Sequence, residues 1–565
     1  MPANHPLRPD QGHRTLADVL ARNLPERAGQ RAVVVLDREG REVEQTTYGE
    51  LDRRVRALAA QLQQLVAPGE RALVMAPTGV GFLTGFFACA YAGVIGVPVP
   101  PPEAGAKQLA RLRGIVKDAA PSAILTTAEI AGSDAASEFG SAQLLVVSEV
   151  DENLAELWTD PGVGGEDVAF LQYTSGSTAE PKGAMITHAN VAANLAAVWR
   201  MARVEPGHEL RVVSWLPLFH DMGLLQPLLT FYTGGELALI PPMEFLLRPA
   251  VWLETVSRHR GEFGCAPNFA YDLCATKLTA EQRAGLDLSS WRAAVNGAEP
   301  VRHDTLARFA EAFAPHGFDE AAISPAYGLA EGMVYVSGAR EPGDLRHLDL
   351  DVLELEKSGR LVPAAEGVAS RRIVACGRVP ENLQVRIVDP ATGEPSEEDR
   401  PGEVLISGDS IAAGYWQRPE ATAAKFGGGV LRTGDLGFLR DGQLFVLGRL
   451  DDMIIVDGRN HYPQDIELTV GECHELLDPS RCAAFAFADG GQTRLGILAE
   501  TARGATVDDP GPLTEVIRAA VAAEHQLGVA AVHLLKPGGL PRTTSGKVQR
   551  AKSRALHAEG ALLSW

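Results

Sequence analysis

Several features that would assign this 565-residue sequence to a particular protein class are scarce or missing. Its six cysteines are scattered and form no CxxC pair, which argues against a disulfide framework or zinc site and fits a reducing compartment. Basic residues number 52 against 72 acidic ones, and the net charge of −20 gives no electrostatic drive toward nucleic acid or anionic lipid. We therefore expect no nucleic-acid partner.

Long hydrophobic runs are also rare. Residues 72–102 carry no charge, but five glycines interrupt them and they end in prolines. That pattern predicts a buried helix and strand rather than a membrane span. The first thirteen residues are polar and lack the apolar run of a secretory signal. We expect a cytoplasmic protein with no stable membrane insertion.

The order of secondary-structure signals predicts an α/β fold. Residues 47–65 have helical periodicity and open with a Thr-x-x-Glu capping box, Thr47 to Glu50. Short β-type runs alternate with helical patterns such as residues 106–119; the runs lie at residues 71–77, 93–100, 123–127 and 143–149. Alternation of this kind predicts a parallel sheet.

The C-terminal part of the chain has a different pattern. Short strands with turn signals dominate residues 385–456, and from residue 451 onward the signals indicate a compact α+β unit. Since the length exceeds one hydrophobic core, we predict two domains. A large N-terminal domain over residues 1–450 holds two α/β subdomains and a β-rich subdomain, and a small α+β domain covers residues 451–565.

The strongest chemical signal is the loop at residues 171–183, LQYTSGSTAEPKG. Glycine lets backbone N–H groups approach an anion, and the hydroxyls and a lysine add further donors. Only nine of the 52 basic residues are lysines, yet one closes this loop, which argues against a flexible surface turn. The order of a Walker loop is absent. We predict a phosphate cradle made of Thr174, Ser175, Gly176, Ser177, Thr178 and Lys182.

This loop resembles the phosphate-binding signature of the acyl-adenylate-forming superfamily, which includes acyl-CoA ligases, peptide-synthetase adenylation domains and luciferases. Residues 327–331, YGLAE, resemble the motif whose aromatic ring stacks on adenine and whose glutamate helps to hold Mg²⁺. Residues 296–300, NGAEP, resemble the adenine-lining turn. The resemblance implies ATP and Mg²⁺ as cofactors, Glu331 as a catalytic metal ligand, and a nucleotide site that includes Asn296, Gly297, Ala298, Glu299, Tyr327, Gly328, Leu329 and Ala330.

Three further motifs follow in the superfamily's order. Residues 433–435 resemble the motif whose aspartate, here Asp435, binds the ribose hydroxyls. Residues 448–452 resemble the hinge motif, with Arg449 near the ribose and Asp451 at the pivot. Residues 541–547 resemble the final motif, whose lysine, here Lys547, contacts the nucleotide and catalyses adenylation. The resemblance implies that the C-terminal domain is mobile.

The residue types suit that chemistry. Adenylation brings a carboxylate to the α-phosphate of ATP, and a mobile ammonium such as Lys547 can hold both anions. A carboxylate such as Glu331 is a hard ligand for Mg²⁺, and Asp435 can accept hydrogen bonds from vicinal hydroxyls. Taken singly, these three residues could be a solvated lysine, a first-turn helix residue and a turn residue. Their joint order favours the site.

Two segments resemble fatty acyl-AMP ligases in particular: residues 215–224, WLPLFHDMGL, and residues 454–467. The first implies an acyl-binding segment of His220, Asp221, Met222 and Gly223, with His220 also a catalytic candidate; a structural histidine is the alternative. No GxSxG elbow supports a hydrolase. The resemblance implies activation of a fatty acid to acyl-AMP, and transfer to the phosphopantetheine of an acyl carrier protein in a polyketide or peptide-synthetase pathway.

Residues 332–376 lie where those ligases carry an insertion that impedes the domain movement needed for a CoA site. Leu348, Leu350 and Val352 alternate with acidic residues, and the phase flips before Leu353 and Leu355, which predicts a bulge or strand break. We expect the segment at residues 348–365 to hold the C-terminal domain away from a CoA-competent position through Leu348, Leu350, Leu353 and Leu355. The alternative is an ordinary amphipathic element.

Two other functions stay open. A fatty acyl-CoA ligase belongs to the same class, and thioester formation with CoA would separate it from a fatty acyl-AMP ligase. A non-catalytic acyl-nucleotide sensor belongs to a different class, and pyrophosphate release would exclude it. The presence of Lys547, Glu331 and Asp435 together argues against the sensor.

Overall fold

The computed structural model describes residues 14–102, 106–133, 139–173, 181–339, 346–456, 458–489, 492–543, 546–562 and 564–565. Five of the predicted phosphate-loop residues lie outside the described residues: Thr174, Ser175, Gly176, Ser177 and Thr178.

The first part of the chain contains a six-stranded sheet and the helices around it. Its elements are α1 Leu16–Ala21, α2 Leu24–Arg27, β1 Arg31–Leu36, β2 Glu42–Thr47, α3 Tyr48–Leu65, β3 Arg71–Met75, α4 Val80–Ala92, β4 Ile95–Pro98, α5 Ala106–Ala119, β5 Ala123–Thr126, α6 Ala128–Ala131, β6 Gln143–Val146, β7 Val168–Tyr173, β8 Gly183–Thr187 and α7 His188–Met201. The strand order is β6-β5-β3-β4-β7-β8, parallel except for the antiparallel pair β7–β8.

Two sequence predictions are confirmed in this part. Helix α3 begins after Thr47, and both bonds of the capping box to Glu50 are present. The charge-free segment forms β3, α4 and β4; α4 is buried on almost every side and ends at Gly93, whose φ of 70° favours glycine. Within the described ranges, no helix is both long and apolar enough to cross a membrane.

The second part adds strands to a larger sheet. Its elements are β9 Arg211–Ser214, α8 Asp221–Thr233, β10 Glu236–Leu239, α9 Pro242–Leu247, α10 Ala250–His259, β11 Phe263–Ala266, α11 Asn268–Lys277, α12 Ala280–Arg283, β12 Ala293–Asn296, α13 His303–Phe313 and β13 Ile323–Tyr327. Strands β13-β12-β11-β9-β10-β1 run parallel, with β2 antiparallel at the edge. The carboxyl ends of β12 and β13 therefore lie side by side, which brings together the sequence motifs that follow them.

The third part is the predicted β-rich subdomain. Its elements are β14 Ser337–Gly338, β15 His347–Asp351, α14 Val352–Lys357, β16 Ser370–Arg378, β17 Leu383–Val388, β18 Gly402–Gly408, α15 Pro419–Lys425, β19 Leu431–Arg440 and β20 Gln443–Arg449. Antiparallel strands β17-β18-β19-β20-β16-β14 continue the larger sheet from β13. The subdomain is thus joined to the second part by hydrogen-bonded strands.

The insert within this subdomain contains a strand, β15, and a helix, α14. The predicted break at Val352 is confirmed, but the second alternating run is helical because Asp351 caps it, accepting bonds from the N–H groups of Leu353 and Glu354. Leu350 and Leu355 are buried, whereas Leu353 is 45% exposed. The expectation that Leu353 holds the C-terminal domain is therefore wrong.

The C-terminal part has its own core. Its elements are β21 Ile454–Val456, β22 Arg459–His461, α16 Pro463–Glu472, β23 Leu477–Asp489, β24 Gln492–Thr501, α17 Pro510–His525, β25 Val529–Leu535 and α18 Arg550–Ala558. Strands β23-β24-β25 form a sheet, and residues of α16 and α17 share one hydrophobic cluster with it. The predicted α/β class, with a large N-terminal and a small α+β C-terminal domain, is confirmed.

Candidate active site

The phosphate loop connects two paired strands. Strand β7 ends at Tyr173, which pairs with Gly183 at the start of β8, so the described residues on either side of the loop are neighbours in the sheet. Lys182 lies at its exit, with Nζ 5.6 Å from the centre of the Tyr415 ring. The geometry holds both ends of the predicted cradle on one sheet.

The Glu331 segment follows β13 in a single 3₁₀ turn, Ala330–Gly332. Glu331 is buried, and its Oε1 accepts a hydrogen bond of 2.6 Å from the Tyr415 hydroxyl. A Cβ on Gly328 would lie 1.3 Å from the Val334 carbonyl oxygen, so only glycine fits there. The turn is therefore tightly specified by its neighbours.

Backbone strain accompanies this turn. Met333 and Val334 have φ angles of 51° and 79°, in the left-handed region that a β-branched residue rarely adopts. The Asn194 amide holds the distorted chain by donating to the carbonyl oxygens of Tyr335 and Gly332, at 2.8 and 3.2 Å. Strain of this kind concentrates at functional sites.

The predicted ribose site is assembled from two paired strands and the aromatic residue at the end of β13. Asp435 on β19 lies opposite Arg449 on β20, and Arg449 Nη1 is 3.6 Å from Asp435 Oδ1. The Tyr327 hydroxyl donates to Asp435 Oδ2 at 2.5 Å. Burial raises the pKa of Asp435, and the charge of Arg449 opposes that rise. The structure thus brings together three residues that are far apart in sequence.

The predicted adenine-lining turn follows β12. Asn296 is fully buried, and its side-chain oxygen and nitrogen have no hydrogen-bond partner in the described part of the chain. Ala298 has a left-handed φ of 68°, and the Glu299 carboxylate accepts a bond of 2.8 Å from the Phe269 N–H. A buried amide without a partner suits a ligand that both donates and accepts, as adenine does.

Lys547 approaches this turn from the C-terminal part. It is exposed on a tight loop in which the Lys547 N–H donates to Thr543 Oγ1 at 3.0 Å. Burial raises the pKa of Glu299, and the positive charges of Arg302, Lys547 and Arg542 oppose that rise. Lys547 is therefore close enough to act electrostatically on the adenine-lining turn.

The predicted pivot, Asp451, lies in an exposed 3₁₀ turn, Leu450–Asp452, directly after β20. Its neighbour Asp452 forms an ion pair of 2.8 Å with Arg550, which also binds Glu467 at 2.6 Å. Arg550 begins α18 just after the Lys547 loop. The pivot and the lysine loop are therefore tied together through one arginine.

The predicted acyl segment begins helix α8. A small cavity of about 10 Å³ adjoins it and is lined by Phe170, Gln172, Ile186, Asp221, Leu224, Ala330, Met333 and Val334. Asp221 lines this cavity and His220 caps the helix, with its ring 4.6 Å from that of Phe219. Met222 packs in the core, and Gly223 lies against the Pro217 carbonyl oxygen, 2.0 Å from where a Cβ would be. Of the four residues, Asp221 alone is among those that line the cavity.

The insert contacts the C-terminal part through a few buried or half-buried groups, which we call the insert interface: Glu356, Arg371, His461, Tyr462 and Asp465. His461 Nδ1 lies 3.1 Å from Glu356 Oε1, and both side chains are buried. Arg371 forms an ion pair of 2.9 Å with Asp465, and its guanidinium stacks 4.0 Å from the centre of the Tyr462 ring. Tyr462 also packs in the cluster that contains Leu350 and Leu355.

Sequence reasoning missed two residues of this region. Tyr415 binds Glu331 as described above, and Lys425 donates from Nζ to the Thr433 carbonyl oxygen at 2.8 Å. Burial lowers the pKa of Lys425, while the carboxylates of Glu331 and Asp435 oppose that lowering. The scarcity of lysine was a signal that could have singled out Lys425; Tyr415 carried no such signal.

The residues present fit the expected cofactors. One oxygen of Glu331 is bound by a neutral hydroxyl, and a carboxylate supplemented by substrate phosphates is the usual environment of Mg²⁺. Asn296, Tyr327 and Asp435 supply groups for a base and a ribose. Across the described residues there is no cluster of three or more His, Cys, Asp or Glu that could hold a metal ion without the substrate.

Comparison with known proteins gives two family matches. Residues 20–416 match the family model described as AMP-binding enzyme, and residues 451–563 match the AMP domain of Disco-interacting protein 2-like proteins.

Individual proteins match over nearly the whole chain. The medium-chain-fatty-acid–[acyl-carrier-protein] ligase JamA of Moorena producens is 40% identical, with 98% of this chain and 96% of that protein covered. The long-chain-fatty-acid–AMP ligase FadD32 of Mycolicibacterium smegmatis is 36% identical, with 91% and 89% covered. A structure of the fatty acyl-adenylate ligase from L. pneumophila with acyl adenylate and pyrophosphate is 34% identical, with a TM-score of 0.75 and 98% and 97% covered.

Proposed function

Because the chain belongs to the AMP-binding enzyme family, as a fatty acyl-AMP ligase of the adenylate-forming superfamily, we propose that it activates a fatty acid with ATP and passes the acyl group to an acyl carrier protein. One observation carries the proposal. Asn296, Tyr327, Glu331 and Asp435 converge on one site from the ends of β12 and β13 and from β19, with Lys547 within electrostatic reach. This convergence supplies a group for each part of an acyl-adenylation reaction.

In the first half-reaction, a carboxylate oxygen of the fatty acid bonds to the α-phosphorus of ATP. The bond from that phosphorus to the bridging oxygen breaks, and pyrophosphate leaves. Lys547 holds the attacking carboxylate and the α-phosphate together, which offsets their mutual repulsion. Mg²⁺, held by Glu331, would neutralise charge on the leaving pyrophosphate.

The nucleotide is oriented by groups of the large domain. Asp435 accepts hydrogen bonds from the ribose hydroxyls beside Arg449, and the Asn296 amide bonds the adenine edge. Lys182 and the hydroxyl residues of the loop bind the phosphates. We assign acyl binding to the segment of His220, Asp221, Met222 and Gly223, of which Asp221 lies at the small cavity beside the Glu331 segment.

In the second half-reaction, the thiol of a phosphopantetheinylated carrier protein attacks the acyl carbonyl, and AMP leaves. The small domain over residues 451–565 turns about Asp451, which removes Lys547 from the site. The insert interface restrains that movement, so that free CoA is a poor acceptor. The match to JamA, whose name describes an acyl-carrier-protein ligase, supports the carrier as acceptor.

Mass spectrometry of acyl-AMP formed from a panel of fatty acids, together with pyrophosphate release, tests this function. We expect acyl-AMP and pyrophosphate in equal amounts, with a dependence on ATP and fatty acid. Absence of both products with every fatty acid would contradict the proposal and favour a non-catalytic acyl-nucleotide sensor.

A further inference from the structure

We propose that Tyr415 is a positioning residue that fixes the Glu331 carboxylate and the Lys182 ammonium relative to each other, so that metal and phosphate bind together. This inference rests on the proposed function, because it takes Glu331 as the metal ligand. It adds a residue that belongs to none of the motifs singled out in the sequence.

The phenol binds the carboxylate at one oxygen only. The Tyr415 hydroxyl donates to Glu331 Oε1 at 2.6 Å, and the two residues are 6% and 9% exposed. A neutral donor on Oε1 fixes the rotamer of Glu331 without neutralising its charge, and it leaves Oε2 for a cation. Groups that bind a metal ligand in this way set its orientation and its affinity for the metal.

The ring of the same residue faces the phosphate loop. Lys182 Nζ is 5.6 Å from the centre of the Tyr415 ring, a distance at which a cation is attracted to an aromatic face. Among the described residues, Lys182 forms no ion pair. One side chain thus contacts both the metal carboxylate and the phosphate-loop lysine.

The backbone around Tyr415 is joined to both partners. The Trp416 N–H donates to the Gly183 carbonyl oxygen at 2.8 Å, directly beside Lys182. The Ala412 N–H donates to the Glu331 carbonyl oxygen at 2.9 Å. Tyr415 is therefore held by main-chain bonds to the two segments whose side chains it contacts.

A hydrogen bond from the Tyr415 backbone to Thr422 also holds Tyr415 in place. Thr422 Oγ1 accepts a bond of 2.9 Å from the Tyr415 N–H, and its methyl group would lie 2.5 Å from a Cβ on Gly414. Gly414 has a φ of 134°, which favours glycine.

The test measures metal binding rather than turnover. Electron paramagnetic resonance can follow Mn²⁺ binding to the full-length enzyme complexed with α,β-methylene ATP, which does not react. We expect Tyr415→Phe to weaken Mn²⁺ binding by about 10-fold or more, the usual effect of losing a group that orients a metal ligand. Phenylalanine keeps the ring beside Lys182, so this variant should bind metal-free ATP as the wild type does, whereas Tyr415→Ala, which also removes the ring, should weaken that binding.

The matched control is Tyr91→Phe. The Tyr91 hydroxyl donates to Asp52 Oδ1 at 2.9 Å in another buried tyrosine–carboxylate pair. We expect Tyr91→Phe to lower thermal stability but to leave the Mn²⁺ affinity unchanged. An equal loss of Mn²⁺ affinity in both variants would show a general packing effect and overturn the proposal.

Two further outcomes separate this inference from the proposed function. If Glu331→Gln binds Mn²⁺ as the wild type does, the metal role of Glu331 fails. If Glu331→Gln loses Mn²⁺ while Tyr415→Phe keeps it, the inference about Tyr415 alone is overturned. Should Tyr415→Phe not fold, Thr422→Val replaces it; this variant keeps the phenol but removes its anchor, and unchanged Mn²⁺ affinity would contradict the proposal.

Discussion

The nucleotide region and the insert interface both bury charged groups, but they satisfy them differently. In the nucleotide region, which comprises Tyr327, Glu331, Tyr415, Asp435 and Arg449, each carboxylate receives a bond from a neutral phenol. The insert interface instead uses an ion pair, Arg371 with Asp465, and a histidine–carboxylate contact, His461 with Glu356. There, His461 Nε2 and Arg371 Nη1 are buried without a hydrogen-bond partner among the described residues.

The difference matches what each region has to do. A buried polar atom without a partner costs about 1–3 kcal/mol, so the insert interface is specific in geometry but weak in net stability. In the nucleotide region, the phenol hydroxyl and the carboxylate oxygen that it bonds each have a hydrogen-bond partner, so these atoms do not incur that penalty. The nucleotide region is therefore suited to stay in place during both half-reactions, and the interface to open between them.

The largest effect is expected from Lys547→Ala, which removes the group that we propose the small domain brings to the nucleotide region. Acyl-AMP formation should fall by a factor of about 10² or more, the scale of one electrostatic contact in the transition state. Acyl transfer from supplied acyl-AMP should largely survive. The matched control is Lys552→Ala, an exposed lysine on α18. Adenylation near the wild-type rate in Lys547→Ala would exclude Lys547 as the catalyst.

The next effect concerns the fixed region. Asp435→Asn keeps the shape of the side chain but leaves one acceptor oxygen for the ribose, and we expect the KM for ATP to rise by about 10-fold, or about 1.4 kcal/mol. The control, Asp52→Asn, alters another buried carboxylate that accepts from a tyrosine, and it should leave the KM unchanged. Equal changes in both would mean that the loss is structural.

A smaller effect is expected at the insert interface. Glu356→Gln and His461→Gln should each raise the rate of acyl-CoA formation by about 10-fold. The double variant should raise that rate little further, because each substitution removes the same contact between Glu356 and His461. Pyrophosphate release should stay within about 2-fold of the wild type. Arg372→Gln serves as the control, since its exposed pair with Asp349, at 2.8 Å, lies within the insert and its strand. Additive effects of the two glutamines would show that Glu356 and His461 do not act together.

The sequence motifs of the nucleotide region could be predicted because each reactive residue lies next to a glycine or a turn at a strand end. Asp435 lies in the region predicted to be rich in short strands, and it is found on β19; the roles of Tyr327, Glu331 and Asp435 stay predictions. Tyr415 could not be found in this way, because its role depends on pairing between residues 412–416 and β8, which no local pattern encodes.

The insert was harder to predict for a physical reason. Its alternating pattern suits a strand on both sides of Val352, but the Asp351 side chain caps a helix and overrides that pattern. Leucine positions then no longer alternate between two faces. The contact between Glu356 and His461 could not be predicted. A sequence alone does not distinguish polar residues that pair between two domains from polar residues that are exposed to solvent.

The last prediction concerns stability rather than activity, at the two leucines of α14. Leu355→Ala should lower the free energy of unfolding of the large domain by about 2–5 kcal/mol, because Leu355 is buried. Leu353→Ala, on the exposed side, should change it by about 0.5 kcal/mol or less. The midpoints of denaturant unfolding of the two variants measure these changes in stability. Equal losses would indicate that Leu353 is covered in solution.

The most direct test of the account is a competition between acyl acceptors. The wild-type enzyme, ATP and a medium-chain fatty acid are mixed with equal concentrations of CoA and a phosphopantetheinylated acyl carrier protein, and mass spectrometry quantifies both thioesters; a panel of carriers is used in turn. We predict that acyl-carrier thioester accumulates while acyl-CoA stays near background. Acyl-CoA formed as fast as pyrophosphate is released would contradict the account and establish a fatty acyl-CoA ligase.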